Sequence, residues 1–208
     1  MRGRGAYLSV MGTGCEGVRE GSDGGWCEAA ERKRCARVVC CAGWVLCCAL
    51  GSVSHFFFEW SGGSVLAGVF FPANESVWEH MKLVFFPFLL YYAAVLPFAG
   101  ALGNRVFGAF AGTYVAAALI PIVFYTYTAF SGRAILPLDI ATFLLAVTAG
   151  QAVAYRAFSG EARGARFAAA GACGLAAIAA CYFVLTAYAP DLFLFTDPMT
   201  GGRGIPLL

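Results

Sequence analysis

The chain has 208 residues, of which 60% are hydrophobic and only 12% are charged, and its formal net charge is +2. Soluble domains carry about 25% charged residues, so this composition excludes a water-soluble fold, whose surface needs more polar side chains. The small net charge and the scattered basic residues also argue against nucleic-acid binding, which leaves the lipid bilayer as the expected partner.

The N-terminal segment, residues 1–31, is rich in glycine and charged residues and lacks helical periodicity. Such a composition predicts a disordered leader, which we expect to be cytoplasmic. It is too long and too acidic for the n-region of a secretory signal, so the first apolar run is interpreted as a retained signal anchor. A start codon assigned too far upstream explains the leader equally well. The remainder, 32–208, is predicted to be a single integral membrane domain.

Apolar runs define the helices that follow. A helix that spans a membrane needs about 20 predominantly apolar residues. Runs of suitable length predict about five spanning helices, at 36–57, 75–102, 106–130, 135–156 and 166–188. The fold class is therefore an all-α, polytopic transmembrane helix bundle. The apolar stretch 65–71 is too short to span, and it is predicted to be an interfacial or re-entrant segment between the first and second helices.

Local signals refine these helices. Asn74 is the predicted N-cap of the second helix, because its side chain can accept a hydrogen bond from a free amide of the first turn. Pro137 suits the first turn of the fourth helix. Three prolines lie inside predicted helices, where each removes a backbone donor: Pro87, Pro97 and Pro121. The fifth helix is rich in small residues, a composition that permits close helix contacts and predicts a homo-oligomer through this helix.

The basic residues near the ends of the spans predict the orientation, because Lys and Arg concentrate on the cytoplasmic side. One side holds Arg32, Lys33, Arg34, Arg37, Arg105, Arg156, Arg163 and Arg166. The other side holds Lys82, Arg133 and Arg203. The expected arrangement is a cytoplasmic N-terminus and an external C-terminus in a bacterial inner membrane.

This topology gathers unusual polar residues at the external end of the bundle. The predicted metal ligands, chosen because histidine and carboxylate groups suit a divalent ion, are His55, Glu59, Glu79 and His80. Acid/base candidates are Glu75, Glu79 and His80. Further ligand-binding candidates at the same end are Tyr125, Asp139 and Asp197. A divalent metal ion is thus the predicted cofactor of this cluster.

Three interpretations of the cluster fit the sequence. It is a structural polar cap, a metal or acid/base site, or a vestibule for transport or ligand binding. The spacings His-x-x-x-Glu and Glu-x-x-x-Glu-His are weak signatures by themselves. The chain has no His-Glu-x-x-His pattern, no Gly-x-Ser-x-Gly pattern and no phosphate-binding loop. The sequence therefore leaves open whether the protein is an enzyme.

Three polar motifs carry a family resemblance: HFFFEWSGG at 55–63, NESVWEHMK at 74–82 and DPMTG at 197–201. With them, the chain over roughly 50–208 resembles a family of small, multi-pass bacterial membrane proteins known as a domain of unknown function. The resemblance implies that the loop before Asn74 and the turn at Asp197 belong to the same domain as the helices. It implies no activity.

The expected function is that of a multi-pass membrane protein of unknown activity with an external polar site for a divalent cation or small ligand. One alternative is an intramembrane metal-dependent hydrolase, with a metal-bound water as the nucleophile. A second alternative is a small transporter or a structural membrane subunit. The obvious polar side chains toward the cytoplasmic side are those of Thr142, Thr148 and Gln151. Because none of them is charged, they would make a poor path for an ion.

Overall fold

The computed structural model describes residues 23–205, most of which are helical. In chain order the helices are α1 (Asp23–Ser54), α2 (Phe57–Trp60), α3 (Val65–Phe70), α4 (Val77–Val95), α5 (Arg105–Ser131), α6 (Leu136–Ser159) and α7 (Ala165–Ala187). A 3₁₀ turn at Phe193–Phe195 follows α7. Residues 23–205 contain no β-strand, only an isolated antiparallel bridge between Thr196 and Arg203. The prediction of an all-α fold is confirmed.

Four helices within the described residues, α1, α5, α6 and α7, are long and apolar enough to cross a membrane. The helix α4 is not among them, because Glu79, His80 and Lys82 near its start lower its mean hydropathy. The short helix α3 occupies the apolar stretch that was predicted to be too short to span. Length and composition therefore support four of the five predicted spans.

The first helix begins earlier than predicted. Of the leader 1–31, residues 1–22 lie outside the described part of the chain, whereas 23–31 are the first turns of α1. The expectation of disorder is wrong for these turns. Alanine and glutamate, which make up 28–31, are strong helix formers, and so are the basic residues at 32–34 that connect them to the apolar run. At its other end, α1 stops at Ser54 rather than at residue 57.

The helix α4 differs from its prediction at both ends. Its N-cap is Ser76, whose hydroxyl oxygen accepts from the Glu79 amide at 3.4 Å, so the assignment of Asn74 was wrong. Asn74 instead stabilises the preceding turn, where its Oδ1 accepts from the Ser76 amide at 2.9 Å. The helix ends at Val95 rather than at residue 102, because Pro97 has no amide hydrogen to continue the ladder.

The core of the bundle is centred on α5, which contacts α4, α6 and α7, while α1 contacts α4 and α6. Two glycines permit the closest approach of helices. A Cβ atom at Gly112 would lie 2.7 Å from the Gly150 carbonyl oxygen, and a Cβ at Gly150 would lie 2.7 Å from the Gly112 carbonyl oxygen. The helices α5 and α6 therefore meet backbone to backbone, which only residues without a side chain allow.

The order of the helices defines two ends of the bundle. Contacts of Glu79 with Thr186 and of Tyr125 with Phe193 mark one of them, which we call the site end. The site end holds the C-terminus of α1, the N-terminus of α4 and the tail that follows α7. Contacts of Asn104 with the loop before α7 mark the other, which we call the basic end.

Candidate functional site

Chain segments between the helices cover the site end. The Asn74 Nδ2 donates to the Gly204 carbonyl oxygen at 2.8 Å, which joins the loop before α4 to the C-terminal tail. The Trp78 ring packs against the rings of Tyr182 and Phe195, with 4.8 Å between centroids in each pair. The loop and the tail are therefore integral parts of the helical domain.

Three side chains with metal-ligating atoms meet at this end: His55 after α1, Glu75 in the loop before α4, and His80 near the start of α4. The His80 Nε2 lies 3.4 Å from one carboxylate oxygen of Glu75, and the His55 Nε2 lies 3.9 Å from the other. The two imidazole rings meet edge to face, with centroids 5.3 Å apart. One ligand atom from each residue lies within 4.8 Å of the other two. We call these residues the His–Glu–His group.

A backbone contact sets the tautomer of His80. Its Nδ1 lies 2.9 Å from the Ser76 carbonyl oxygen. Because a carbonyl oxygen only accepts, Nδ1 carries the proton, and the lone pair of the neutral ring lies on Nε2. Metal-binding histidines usually donate their other ring N–H to a carbonyl or carboxylate, which fixes the ring orientation. In this tautomer of the neutral ring, the Nε2 lone pair of His80 lies on the side of Glu75.

The histidine–glutamate distances in the group are longer than those of direct hydrogen-bonded ion pairs. Charge-assisted N–H···O bonds are about 2.7–2.9 Å long, whereas the two histidine–glutamate distances are 3.4 and 3.9 Å. Around a tetrahedral zinc ion with ligand bonds of about 2.0–2.1 Å, neighbouring ligand atoms lie roughly 3.3 Å apart. The side chains of His55, Glu75 and His80 are 35%, 50% and 29% exposed, so solvent reaches the group.

Glu79 belongs to a separate, fully buried network. Its Oε2 accepts from Lys82 Nζ at 2.7 Å and from the Ala73 amide at 2.8 Å, and its Oε1 accepts from the Thr186 hydroxyl at 3.1 Å. Lys82 also donates to the Gly68 carbonyl oxygen at 2.8 Å. Both charged side chains are at most 1% exposed. The network ties α4 to α3, to the loop and to α7, and it occupies both carboxylate oxygens of Glu79.

The predicted metal ligands are thus divided by the structure. His55 and His80 come together, Glu79 pairs with Lys82, and Glu59 lies on the exposed short helix α2. The continuous helix that was expected to place His55 and Glu59 on one face ends at Ser54. The third member of the group, Glu75, was predicted as an acid/base candidate. Sequence reasoning missed Thr186, a single threonine near the end of the predominantly apolar helix α7.

The other ligand-binding candidates have separate local partners. Tyr125 packs its ring against Phe193, with centroids 5.0 Å apart. Asp139 lies in the first turn of α6, as predicted, and accepts a short hydrogen bond from the Tyr127 hydroxyl. Asp197 forms a turn in which its Oδ1 accepts from the Met199 amide at 2.7 Å. Their role in ligand binding stays a prediction.

Asp197 makes the stability of the tail dependent on pH. Burial opposes its ionisation, but hydrogen bonds from Met199, Thr200 and the Glu75 amide prevail and lower the pKa of the carboxyl. A lowered native pKa stabilises the fold above the unfolded value of about 3.9, and this contribution is lost as the pH falls through the native pKa. We expect Asp197→Asn to lower the free energy of unfolding by about 1–2 kcal/mol at pH 7.

Thermal unfolding of native protein and variant at pH 7 and pH 3 measures this effect. The difference between them should shrink at pH 3, because this pH lies below the unfolded pKa of about 3.9 and the unfolded carboxyl takes up a proton there. A difference that is equal at both pH values would show that the charge of Asp197 contributes nothing.

Comparison with known proteins gives one match. A family model with the description "Family of unknown function (DUF6512)" matches residues 34–205. The matched range contains α4 to α7, the His–Glu–His group, the buried network and most of α1. Neither the comparison with curated proteins nor that with solved structures gave a match.

Proposed function

The chain belongs to this family of unknown function, and we propose that it is a polytopic membrane protein that binds a divalent metal ion through His55, Glu75 and His80. The observation that carries the proposal is the convergence of three ligand atoms from three separate chain segments. The Nδ1 contact of His80 with a backbone carbonyl supports it, because this contact leaves Nε2 free to bind a metal.

We include α4 as the fifth membrane span. Its 19 residues extend about 28 Å at 1.5 Å per residue, close to the thickness of roughly 30 Å of the hydrocarbon core. Charged residues inside a membrane normally pair with one another and face protein. Glu79 and Lys82 do both, since they form an ion pair and are buried among α3, α4 and α7.

The distribution of basic residues orients the bundle. The basic end holds Arg105, Arg156, Arg163 and Arg166, and the start of α1 adds a further basic run at 32–37. Because cytoplasmic ends carry most Lys and Arg, the site end is external in this proposal. The N-terminus is then cytoplasmic and the C-terminus external, in a bacterial inner membrane. The small residues of α7 remain the predicted contact for a homo-oligomer.

Zinc is the preferred ion for the group. Two imidazoles and one carboxylate form a ligand set of borderline softness that suits zinc, and zinc sites with three protein ligands keep a fourth position for water or substrate. The exposed Glu75 side chain leaves room for that position. The same group without a metal would be a structural polar cap.

We expect the detergent-purified protein to bind about one zinc ion per chain, measured by isothermal titration calorimetry and elemental mass spectrometry. His80→Ala should weaken binding at least tenfold, about 1.4 kcal/mol, because it removes one of three ligands. Glu59→Gln is the matched control at the same end, since Glu59 is exposed and outside the group. Equal zinc affinity in native protein and His80→Ala would contradict the proposal.

A metal-dependent hydrolase is the second candidate. An open coordination position favours it, because a zinc-bound water becomes a nucleophile near neutral pH. Of its acid/base candidates, Glu79 is held by Lys82, Ala73 and Thr186. Glu75 or His80 would therefore have to supply this role in addition to binding the metal. Hydrolase activity is therefore ranked below metal binding alone.

The transporter alternative ranks last. Gln151 accepts from the Tyr92 hydroxyl at 2.9 Å, and the hydroxyls of Thr142 and Thr148 donate to carbonyl oxygens within their own helix. Each of these groups therefore has a local partner, either Tyr92 or the backbone of its own helix. They provide no continuous polar path between the site end and the basic end.

A further inference from the structure

A cavity lies at the basic end, opposite the His–Glu–His group. Its volume is about 610 Å³, and it is bounded by the start of α5, the end of α6 and the start of α7. Phe107, Ala111 and Val153 form apolar walls, while Arg156 and Arg163 provide exposed guanidinium groups. The cavity thus combines an apolar interior with cationic groups at its solvent-exposed side.

The loop that carries Arg163 is held in place by the start of α5. The Arg163 amide donates to Asn104 Oδ1 at 2.8 Å, and Asn104 Nδ2 donates to the Glu161 carbonyl oxygen at 2.7 Å. A Cβ atom at Gly103 would overlap the Gly160 carbonyl oxygen, so the two segments are in direct backbone contact. The cavity is therefore formed in advance of any ligand.

The two guanidinium groups are available for an anion. Arg163 lies over the Phe167 ring, 5.1 Å from its centroid, which holds its charge beside the cavity. Within residues 23–205, neither Arg156 nor Arg163 has a carboxylate at ion-pair distance. Glu161 also lines the cavity and opposes the binding of an anion. The lining therefore carries an excess of positive charge.

We propose that this cavity binds an anionic phospholipid, with its phosphate between Arg156 and Arg163 and an acyl chain along Phe107 and Ala111. The inference rests on the membrane placement proposed above, in which the basic end lies at the cytoplasmic surface, where anionic lipids concentrate. Guanidinium groups match the geometry of phosphate oxygens, and basic pockets between membrane helices bind lipid head groups. The apolar walls distinguish a lipid from a soluble phosphate compound.

The test compares phosphatidylglycerol with phosphatidylcholine of the same chain length, added to protein in neutral detergent and measured by native mass spectrometry. Phosphatidylglycerol should bind at least tenfold more tightly. The Arg156→Gln/Arg163→Gln variant should lose this preference, and Glu161→Gln should increase it, because it removes the opposing charge. Arg166→Gln is the matched control, since Arg166 is exposed at the same end but does not line the cavity. It should change the preference less than twofold.

Three results would overturn the proposal. Equal binding of the two lipids would exclude head-group recognition, and an equal loss in Arg166→Gln would indicate a diffuse surface charge. Displacement of phosphatidylglycerol by an equimolar amount of inorganic phosphate would identify a site for the free anion instead. The membrane placement fails separately, if alkaline carbonate extracts the protein from membranes.

Discussion

Replacement of Lys82 by methionine is expected to lower the free energy of unfolding by about 3–5 kcal/mol. The ammonium group is fully buried, 2.7 Å from Glu79, and methionine preserves much of its length without its charge. The variant leaves the carboxylate of Glu79 buried with neutral donors only, from Ala73 and Thr186. An uncompensated buried charge of this kind costs more than the ion pair itself contributes.

The double variant Glu79→Gln/Lys82→Met provides the control. It removes both charges, and the side-chain amide oxygen that the first substitution introduces can still accept from Ala73 or Thr186. We expect its stability to lie within about 1 kcal/mol of the native value, because a neutral replacement of a buried pair is often tolerated. Unfolding in mixed detergent micelles, followed by circular dichroism, completes the double-mutant cycle. The cycle also needs the single variant Glu79→Gln. If the loss of stability in the double variant equalled the sum of the losses in Lys82→Met and Glu79→Gln, coupling between the two residues would be excluded.

Zinc binding separates this structural role from the metal site. The buried network and the His–Glu–His group share the start of α4, but they share no side chain. Folded Lys82→Met protein should therefore bind zinc with native affinity at temperatures below its transition. A loss of zinc binding in the folded variant would place the ion pair within the metal site.

Substitution of Gly150 by alanine is expected to lower the free energy of unfolding by about 2–3 kcal/mol. The new Cβ atom would lie 2.7 Å from the Gly112 carbonyl oxygen and 2.8 Å from the Cβ of Ala116. Backbone atoms cannot move aside as a flexible side chain can, so α5 and α6 must separate along their contact. This cost exceeds the gain of about 1 kcal/mol that alanine brings as a better helix former.

Gly100→Ala is the control for Gly150→Ala. A Cβ at Gly100 meets nothing within 4 Å, so we expect a change of less than about 0.5 kcal/mol. Both variants can be compared in the same unfolding experiment in mixed micelles. Equal stability of the two would show that the contact between α5 and α6 tolerates a methyl group.

The helices were predictable because their signal is local. An apolar run long enough to span a membrane has few alternatives to a helix, since its backbone groups must be satisfied internally. The run predicted at 106–130 is observed as Arg105–Ser131, and the run predicted at 135–156 as Leu136–Ser159. The position of Pro137 in the first turn of α6 followed from its fixed φ angle and missing donor.

The ends of α1 and α4 were harder to predict, because they depend on cap and tertiary contacts. Ser76 rather than Asn74 caps α4, since Asn74 uses its side chain for the preceding turn and for Gly204 in the tail. Hydropathy carries no information about such a contact. The early start of α1 has a different cause, the helix propensity of residues that precede the apolar run.

The amino-acid sequence by itself determined the helical class, the approximate spans and the concentration of histidines and carboxylates at one end. Only the tertiary structure decided which of these side chains meet. Adjacent positions on a helix point about 100° apart, so Glu79 and His80 face different surroundings. Glu79 meets Lys82 and Thr186, a residue 107 positions away in the chain, while His80 meets Glu75 and His55. The Glu79–Lys82 pair is local, three positions apart, but its burial and the contact with Thr186 depend on long-range packing, which no local pattern encodes.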